Sequence, residues 1–142
     1  MVDEVRVVRL LRSASDNLES LRREQGADES RRSDPLWLPG IKYLMVACIE
    51  CCIDVAQHAC SSERWGPPRD NGDAMRLLGE RGVIHPDTAV AMRQAIGFRN
   101  VLVHEYVEVD DRIVVARLAD LADLERFVRD VSDWLQREPA AT

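Results

Sequence analysis

Apolar residues recur at three- and four-residue steps along most of the chain, which is the period of a helix packed on one side. The first stretch predicts an amphipathic helix over about residues 2–24, followed by a polar connection over residues 25–34. The second stretch, about residues 41–59, is apolar on most of its sides. A helix of that kind is either buried centrally or covered by a partner chain.

Two further helices are predicted in the middle of the chain. The first is short, has Asn71 or Asp73 as its predicted N-cap, and ends at Gly82. The second spans about residues 87–104. Gly97 lowers the stability of this second helix, so we interpret it as a position where another helix approaches closely.

The last apolar repeat runs from about residue 113 to residue 135 and predicts a helix with a break near Ala119-Asp120. The apolar pattern nowhere alternates in the way that predicts a strand. The expected architecture is therefore all-α, a bundle of about five helices. We expect one domain over residues 1–137 and a frayed C-terminal tail over residues 138–142.

Composition narrows the class of protein. The chain has 142 residues, a net charge of −6, 46% hydrophobic and 31% charged residues, as a soluble globular domain has. No apolar run approaches the roughly 20 residues of a membrane span, and the N-terminus lacks the apolar core of a signal peptide. We therefore expect a cytoplasmic protein with no membrane partner. The negative charge disfavours broad nucleic-acid binding but is compatible with a local basic cleft.

Polar side chains capable of chemistry interrupt the apolar pattern at the end of the predicted 87–104 helix. Arg99 supplies a planar, permanently charged fork that suits phosphate. His104 supplies the side-chain type that titrates near neutrality without help. Asn100 and Tyr106 add hydrogen-bonding groups, and Tyr106 adds an aromatic face. An arginine, a histidine and a polar aromatic so close together are what phosphodiester chemistry without a metal needs.

Helix geometry leaves open how these residues meet. On a regular helix, Arg99 and His104 lie about 140° apart, whereas Asn100 and His104 share a face, as do Arg99 and Tyr106. The set converges if the helix ends near His104, which the β-branched and acidic residues that follow favour. It also converges if a second copy of the chain completes the site across an interface.

Asp54 and His58 interrupt the apolar second helix at i, i+4 spacing. One interpretation is an auxiliary acid–base pair or a polar lining of the site. The other is an ordinary polar stripe together with Glu50 and Gln57, and the spacing favours this second interpretation.

Two other sets of residues also have a chemical and a structural interpretation. Three arginines at i, i+3 spacing on the first helix either contact RNA backbone or form a solvated face, which we favour. Four cysteines lack a second ligand cluster with zinc spacing, so we predict small core residues and no metal site. The residues are Arg6, Arg9 and Arg12, and Cys48, Cys51, Cys52 and Cys60.

The motif and its surroundings resemble the HepT-like family of HEPN-domain toxins, small all-helical proteins encoded beside a minimal nucleotidyltransferase (MNT) antitoxin. The resemblance covers roughly residues 1–136 and includes segments of the second helix and of the turn before the motif helix. It is carried by Gly97-Phe98-Arg99-Asn100, Leu102-Val103-His104, Tyr106, Val109-Asp110, Ile53-Asp54-Val55-Ala56-x-His58 and Leu77-x-x-x-x-Gly82-Val83-Ile84.

The resemblance implies a metal-independent endoribonuclease without a cofactor, acting as a homodimer in which the motifs of two chains lie near each other. It implies cleavage of RNA by attack of the 2′-hydroxyl, which leaves a cyclic phosphate. His104 would be the general base or acid, and Arg99 would hold the phosphate and stabilise the transition state. Asn100 would orient His104 or the phosphate, and Tyr106 would stack on a base or donate to phosphate.

The resemblance also implies a toxin of a type VII-like HepT–MntA toxin–antitoxin system. Its MNT-domain antitoxin would neutralise it, in the family's pattern by transferring AMP to Tyr106. The anionic phosphate beside Arg99 would then block RNA by charge and by volume. The alternative function is a non-catalytic helical subunit that docks and regulates a nucleotidyltransferase. The negative net charge favours that alternative, and the intact Arg99, His104 and Tyr106 favour the nuclease.

Overall fold

The computed structural model describes residues 1–104 and 109–137 of the chain. Tyr106 and the tail predicted over residues 138–142 lie outside these described residues. The described part consists of helices and their connections and contains no strand, which confirms the predicted all-α class. In chain order the helices are α1 (Glu4–Glu24), α2 (Glu29–Arg32), α3 (Trp37–Ser62), α4 (Asn71–Glu80), α5 (Pro86–His104), α6 (Asp111–Ala119) and α7 (Ala122–Arg137).

The long helix α3 lies at the centre of the fold and packs against α1, α4, α5 and α7. Eleven of its residues are buried, from Trp37 at its start to Cys60 near its end. Its apolar character on most sides is therefore explained by neighbours within the chain, which decides between the two interpretations of this stretch. Tyr43 is the large side chain on α3 that stays on the surface, 70% exposed.

The described residues form seven helices where about five were expected. The connection after α1 contains the short helix α2, whose N-cap Asp28 accepts a hydrogen bond from the backbone N–H of Arg31. The predicted break in the last helix is confirmed, because Asp120 adopts an extended conformation between α6 and α7. No helix of the described part combines the length and the apolar character that crossing a membrane requires.

The predicted N-cap of α4 is wrong. Asp70 caps this helix, and its carboxylate accepts from the backbone N–H of Asp73 at 2.7 Å. Asn71 and Asp73 lie inside the first turn, so neither has the extended backbone that an N-cap needs. The prediction for Gly82 fits the structure, since this glycine has φ 75° just after the helix and follows Arg81.

The cysteines belong to the core around α3. Cys48 and Cys60 are buried, and their thiols contact the backbone carbonyls of Ala14 and Ala74 at 3.6 Å and 3.9 Å. Burial raises the pKa of the Cys51 and Cys60 thiols. Within residues 1–104 and 109–137, no group of three or more His, Cys, Asp or Glu side chains is placed to hold a metal ion.

Helix α5 carries the predicted motif and is held by hydrogen bonds at its start and by packing along its length. At its start, Asp130 of α7 accepts hydrogen bonds from the backbone N–H of His85 at 3.0 Å and from the Thr88 hydroxyl at 2.8 Å. Further along, α5 buries a face of small and large apolar residues against α3, α4 and α7. This packing fixes the direction in which the end of α5 presents its polar residues.

Candidate active site

The predicted Arg99 lies on α5 with its guanidinium partly buried, 20% exposed. Nη2 donates to Oε1 of Glu50 at 2.9 Å, and Nη1 donates to Oδ1 of Asn100 at 2.9 Å. Nε is buried and makes no hydrogen bond to the described residues. The guanidinium is therefore held between a carboxylate and an amide, and Nε is its one nitrogen without a partner among the described residues.

Glu50 is a site residue that the sequence analysis placed only in a polar stripe. It lies on α3, and its carboxylate, 47% exposed, forms an ion pair with Arg99 across 49 positions of the sequence. The signal in the sequence was a carboxylate in an otherwise apolar helix. The partner was not visible, since helix periodicity does not give the alignment of α3 against α5.

His104 is the last residue of α5 that the structure describes as helical, and it is exposed. Asn100 lies one turn earlier on the same face of the helix. Because Asn100 also accepts from Arg99, its side chain connects the partly buried guanidinium to the face that carries His104. Arg99 and His104 thus lie on different faces, as predicted, with Asn100 between them.

Tyr106 lies outside the described residues, and its predicted place beside Arg99 stays a prediction. The motif's closing residue, Asp110, does have a described position. It is the N-cap of α6 and accepts from the backbone N–H of Arg112 at 2.9 Å. The Arg112 guanidinium also donates to this carboxylate and holds the pKa of Asp110 below its ordinary value. Asp110 therefore fixes the start of α6, the helix that follows the motif.

The structure does not bring the auxiliary pair to Arg99. His58 Nε2 accepts from the backbone N–H of Asp3 at 3.0 Å and lies 3.2 Å from the Ser62 hydroxyl. His58 is also about 12 Å along α3 from Glu50, at 1.5 Å per residue. Among the described residues, neither His58 nor Asp54 hydrogen-bonds to Arg99. Asp54 is exposed one turn after Glu50, and His58 connects the start of α1 to α3.

The three arginines of α1 lie on its surface. Arg6, Arg9 and Arg12 are all exposed, and within the described part of the chain none forms an ion pair. This exposure fits a solvated face and also leaves the arginines accessible to RNA backbone, so the preference for a solvated face stays a prediction.

A cation, an amide and an imidazole at one helix end form a set that can act on a phosphodiester. The guanidinium can bind a non-bridging phosphate oxygen, and the exposed imidazole can accept or donate a proton. The amide lies against the cation, so it limits the orientations that Arg99 adopts.

Comparison with known proteins gives this geometry a family context. A family described as "Ribonuclease HepT-like" matches residues 11–131. The chain is 33% identical over 82 residues to an mRNA nuclease HepT from Shewanella oneidensis, which covers 57% of this chain and 62% of the relative. It is 28% identical over 93 residues to a tRNA nuclease HepT from Aphanizomenon flos-aquae, covering 65% and 63%. The chain thus matches less than two thirds of the length of each.

Two solved structures share the fold. A tri-AMPylated HEPN toxin of Shewanella oneidensis in complex with MNT antitoxin has a TM-score of 0.82 at 23% identity, covering 94% of this chain and 99% of that one. YutE of Bacillus subtilis, a cytosolic protein of unknown function, has a TM-score of 0.84 at 19% identity, covering 99% and 96%. At these identities the likeness concerns the fold.

Proposed function

Because the chain belongs to the HepT-like ribonuclease family, we propose that it is an RNA endonuclease and the toxin of a toxin–antitoxin pair. The two relatives named as mRNA and tRNA nucleases support RNA as the substrate class. The observation that carries the proposal is the Arg99–Asn100 pair one turn from the exposed His104 at the end of α5.

The proposed reaction is transfer of the phosphoryl group to the ribose 2′-hydroxyl. His104 takes the proton of the 2′-hydroxyl as the oxygen attacks phosphorus, or donates a proton to the departing 5′-oxygen. The new bond joins the 2′-oxygen to phosphorus, and the bond to the 5′-oxygen breaks. The products are a 2′,3′-cyclic phosphate and a 5′-hydroxyl.

Arg99 is proposed to bind the scissile phosphate and to stabilise the charge that builds up on its oxygens. The partly buried position of the guanidinium supports this role, since a cation with reduced solvent contact interacts more strongly with an anion. Asn100 is proposed to hold the Arg99 guanidinium in a fixed position relative to the helix face that carries His104. These groups supply the cation and the proton transfer, so we propose that cleavage needs no metal ion.

The proposed active form is a homodimer. Val101 and Val103 lie shortly before His104 on α5 and are 39% and 38% exposed, and Ile113 on α6 is 52% exposed. Exposed aliphatic residues so close to the motif support an interface that places the motifs of two chains near each other.

The proposed partner is an MNT-domain antitoxin that acts on Tyr106. In the proposed modification the tyrosine oxygen attacks the α-phosphorus of ATP, AMP becomes joined to the side chain, and pyrophosphate leaves. A Shewanella oneidensis toxin of this fold is described as tri-AMPylated, which supports the modification but not its site in this chain.

Growth after induction of this chain alone tests the function. Wild type is compared with the Arg99→Ala/His104→Ala variant, and total RNA is examined from both cultures. His85→Ala is the matched control, because His85 is also exposed but lies at the opposite end of α5. We expect arrest and RNA breakdown with wild type and with His85→Ala alone. Intact RNA and normal growth in all cultures, with folded protein present, would instead favour the docking subunit of a nucleotidyltransferase.

A further inference from the structure

A groove of about 550 Å³ runs between the start of α4 and the exposed side of α5 and reaches the motif. Pockets of several hundred Å³ have the size of ligand sites. Most of its lining is polar or lacks a side chain. The lining includes Asn71, Gly72, Arg93, Gln94, Gly97 and Asn100.

The groove follows the face of α5 that ends at His104. At about 100° per residue, Arg93, Gly97, Asn100 and His104 fall within about 60° of one another around the helix. Arg93 and His104 are about 16 Å apart along the helix axis at 1.5 Å per residue. A chain lying in the groove would therefore lead directly to the imidazole.

Arg93 is the cation in the lining of this groove. Its side chain is exposed, and among the described residues no carboxylate lies within 4 Å of its guanidinium. It extends over Gly72, where an added Cβ would be 3.7 Å from Arg93 Nε and 3.5 Å from Asp70 Oδ1. Asp70 thus brings a negative charge to the same part of the groove, and its Oδ1 also accepts from the Asp73 N–H as the cap of α4.

Gly97 leaves the middle of the groove without a side chain on α5. An added Cβ at Gly97 would meet no heavy atom within 4 Å in the described part of the chain, so packing within the chain does not require glycine here. The close helix approach predicted at Gly97 is therefore absent from the described fold. Glycine in the middle of a helix lowers its stability and leaves the backbone open to a ligand.

Two amides on the walls can recognise base edges. Asn71 accepts a hydrogen bond at Oδ1 from Gln57 Nε2 at 3.0 Å, which fixes the orientation of the Asn71 amide. Gln94 lies across the groove on α5 and is exposed. Amide side chains both donate and accept hydrogen bonds, as the edges of unpaired bases do.

We propose that this groove binds the single-stranded RNA on one side of the scissile phosphate, with Arg93 on a backbone phosphate and the Asn71 and Gln94 amides on a base. The inference rests on the proposed function and extends it to substrate binding. The lining favours RNA over a second copy of the chain, because seven of its nine residues are polar or glycine. Nucleic-acid interfaces are polar, whereas the core of a homodimer interface is mainly apolar.

Arg93→Gln and Gly97→Leu test the groove. Arg129→Gln removes an equally exposed arginine on α7, and Gly40→Leu adds the same bulk at another helical glycine whose Cβ would be in open space. Cleavage is measured on single-stranded oligoribonucleotides that share one central sequence and are extended on the 5′ or on the 3′ side; the centre is the site cut in total RNA or, where wild type cuts none, an arbitrary unstructured sequence. Binding of the same RNAs is measured in the His104→Ala background, and oligomeric state by analytical ultracentrifugation.

We expect Arg93→Gln to raise KM and Kd about tenfold, the loss of one charge-assisted contact, with kcat nearly unchanged. The effect should appear with RNA extended on only one of the two sides. Gly97→Leu should weaken binding of that same RNA, and both control variants should match wild type.

Three results have distinct meanings. Cleavage by wild type with unchanged KM and Kd in both groove variants would contradict RNA binding in the groove and would leave the proposed nuclease function standing. Absence of cleavage by wild type, with RNA binding that still depends on Arg93, would contradict the proposed nuclease function and would support RNA binding in the groove. Weaker RNA binding by Gly97→Leu that follows loss of a dimer would assign the face to a second copy of the chain and overturn the proposal.

Discussion

The ion pair between Glu50 and Arg99 predicts that Glu50→Gln increases the affinity for RNA. In the free protein the Glu50 carboxylate occupies Nη2 of Arg99 at 2.9 Å, the same guanidinium that is proposed to hold phosphate. An incoming phosphate therefore competes with the Glu50 carboxylate for the Arg99 guanidinium. Glutamine keeps an oxygen that can accept from Nη2 but removes the negative charge beside the phosphate.

The size of the change in Kd depends on the distance between the Glu50 carboxylate and the bound phosphate and on the solvent exposure of Glu50. Two unit charges about 4 Å apart repel by about 1 kcal/mol in water and by about 4 kcal/mol at the effective dielectric near a protein surface. The Glu50 side chain is 47% exposed, so solvent screening brings the value toward the lower limit. We expect about 1–2 kcal/mol, which is about a tenfold lower Kd.

Fluorescence anisotropy with a labelled RNA, in the His104→Ala background, measures this Kd directly. Glu80→Gln is the matched control, because Glu80 forms a 2.7 Å pair with Arg76 on α4 and its loss changes the net charge equally. The partly exposed Glu50 pair contributes less than about 1 kcal/mol to folding, so the thermal transition should move little. An unchanged or higher Kd in Glu50→Gln would show that the carboxylate does not compete with phosphate and would refute this reasoning.

Three further predictions concern groups around the site. His58→Ala should lower the free energy of unfolding by about 1 kcal/mol through loss of the acceptor for the Asp3 N–H, with kcat unchanged; a lower kcat at unchanged stability would instead restore the auxiliary acid–base role. The pKa of Asp73 is lowered, chiefly by the hydrogen bond from the Arg69 N–H, so its contribution to stability is present above the ordinary aspartate pKa and is lost as the pH falls through the lowered one. Chemical unfolding between neutral and acid pH should show this loss in wild type and less of it in Asp73→Asn; equal pH dependence in both would contradict it. Tyr106→Phe should abolish the adenylyl mass increase produced by the cognate antitoxin and ATP; an unchanged increase on the intact protein would place the modification elsewhere.

The sequence predicted the helices because helix formation here follows from local periodicity. The break at Asp120 was visible because the apolar repeat is interrupted there. The predicted end of α5 near residue 104 stays a prediction, because residues 105–108 lie outside the described part of the chain. The predicted N-caps of α4, Asn71 and Asp73, lie one and three residues after the true cap, Asp70. All three polar side chains suit a cap, and only the backbone conformation distinguishes Asp70.

The site was predictable only in the part that lies on one helix. Asn100 and His104 share a face of α5 by spacing alone, and the contact between Arg99 and Asn100 is between neighbours. The carboxylate of Glu50 reaches Arg99 from α3, and that contact depends on how two helices align. His58 likewise meets the start of α1, a tertiary contact that gives it a structural role which spacing did not show.

The measurement that tests the central claim most directly is cleavage of a labelled RNA by the purified protein in excess EDTA, with the chemistry of the product ends determined. We predict cleavage by wild type that leaves a 2′,3′-cyclic phosphate and a 5′-hydroxyl, and none by His104→Ala. An RNA with a single 2′-deoxy nucleotide at the scissile position should resist the wild type. Cleavage of that RNA, full activity of His104→Ala, or activity that disappears with EDTA and returns with a divalent metal would each contradict the proposed mechanism.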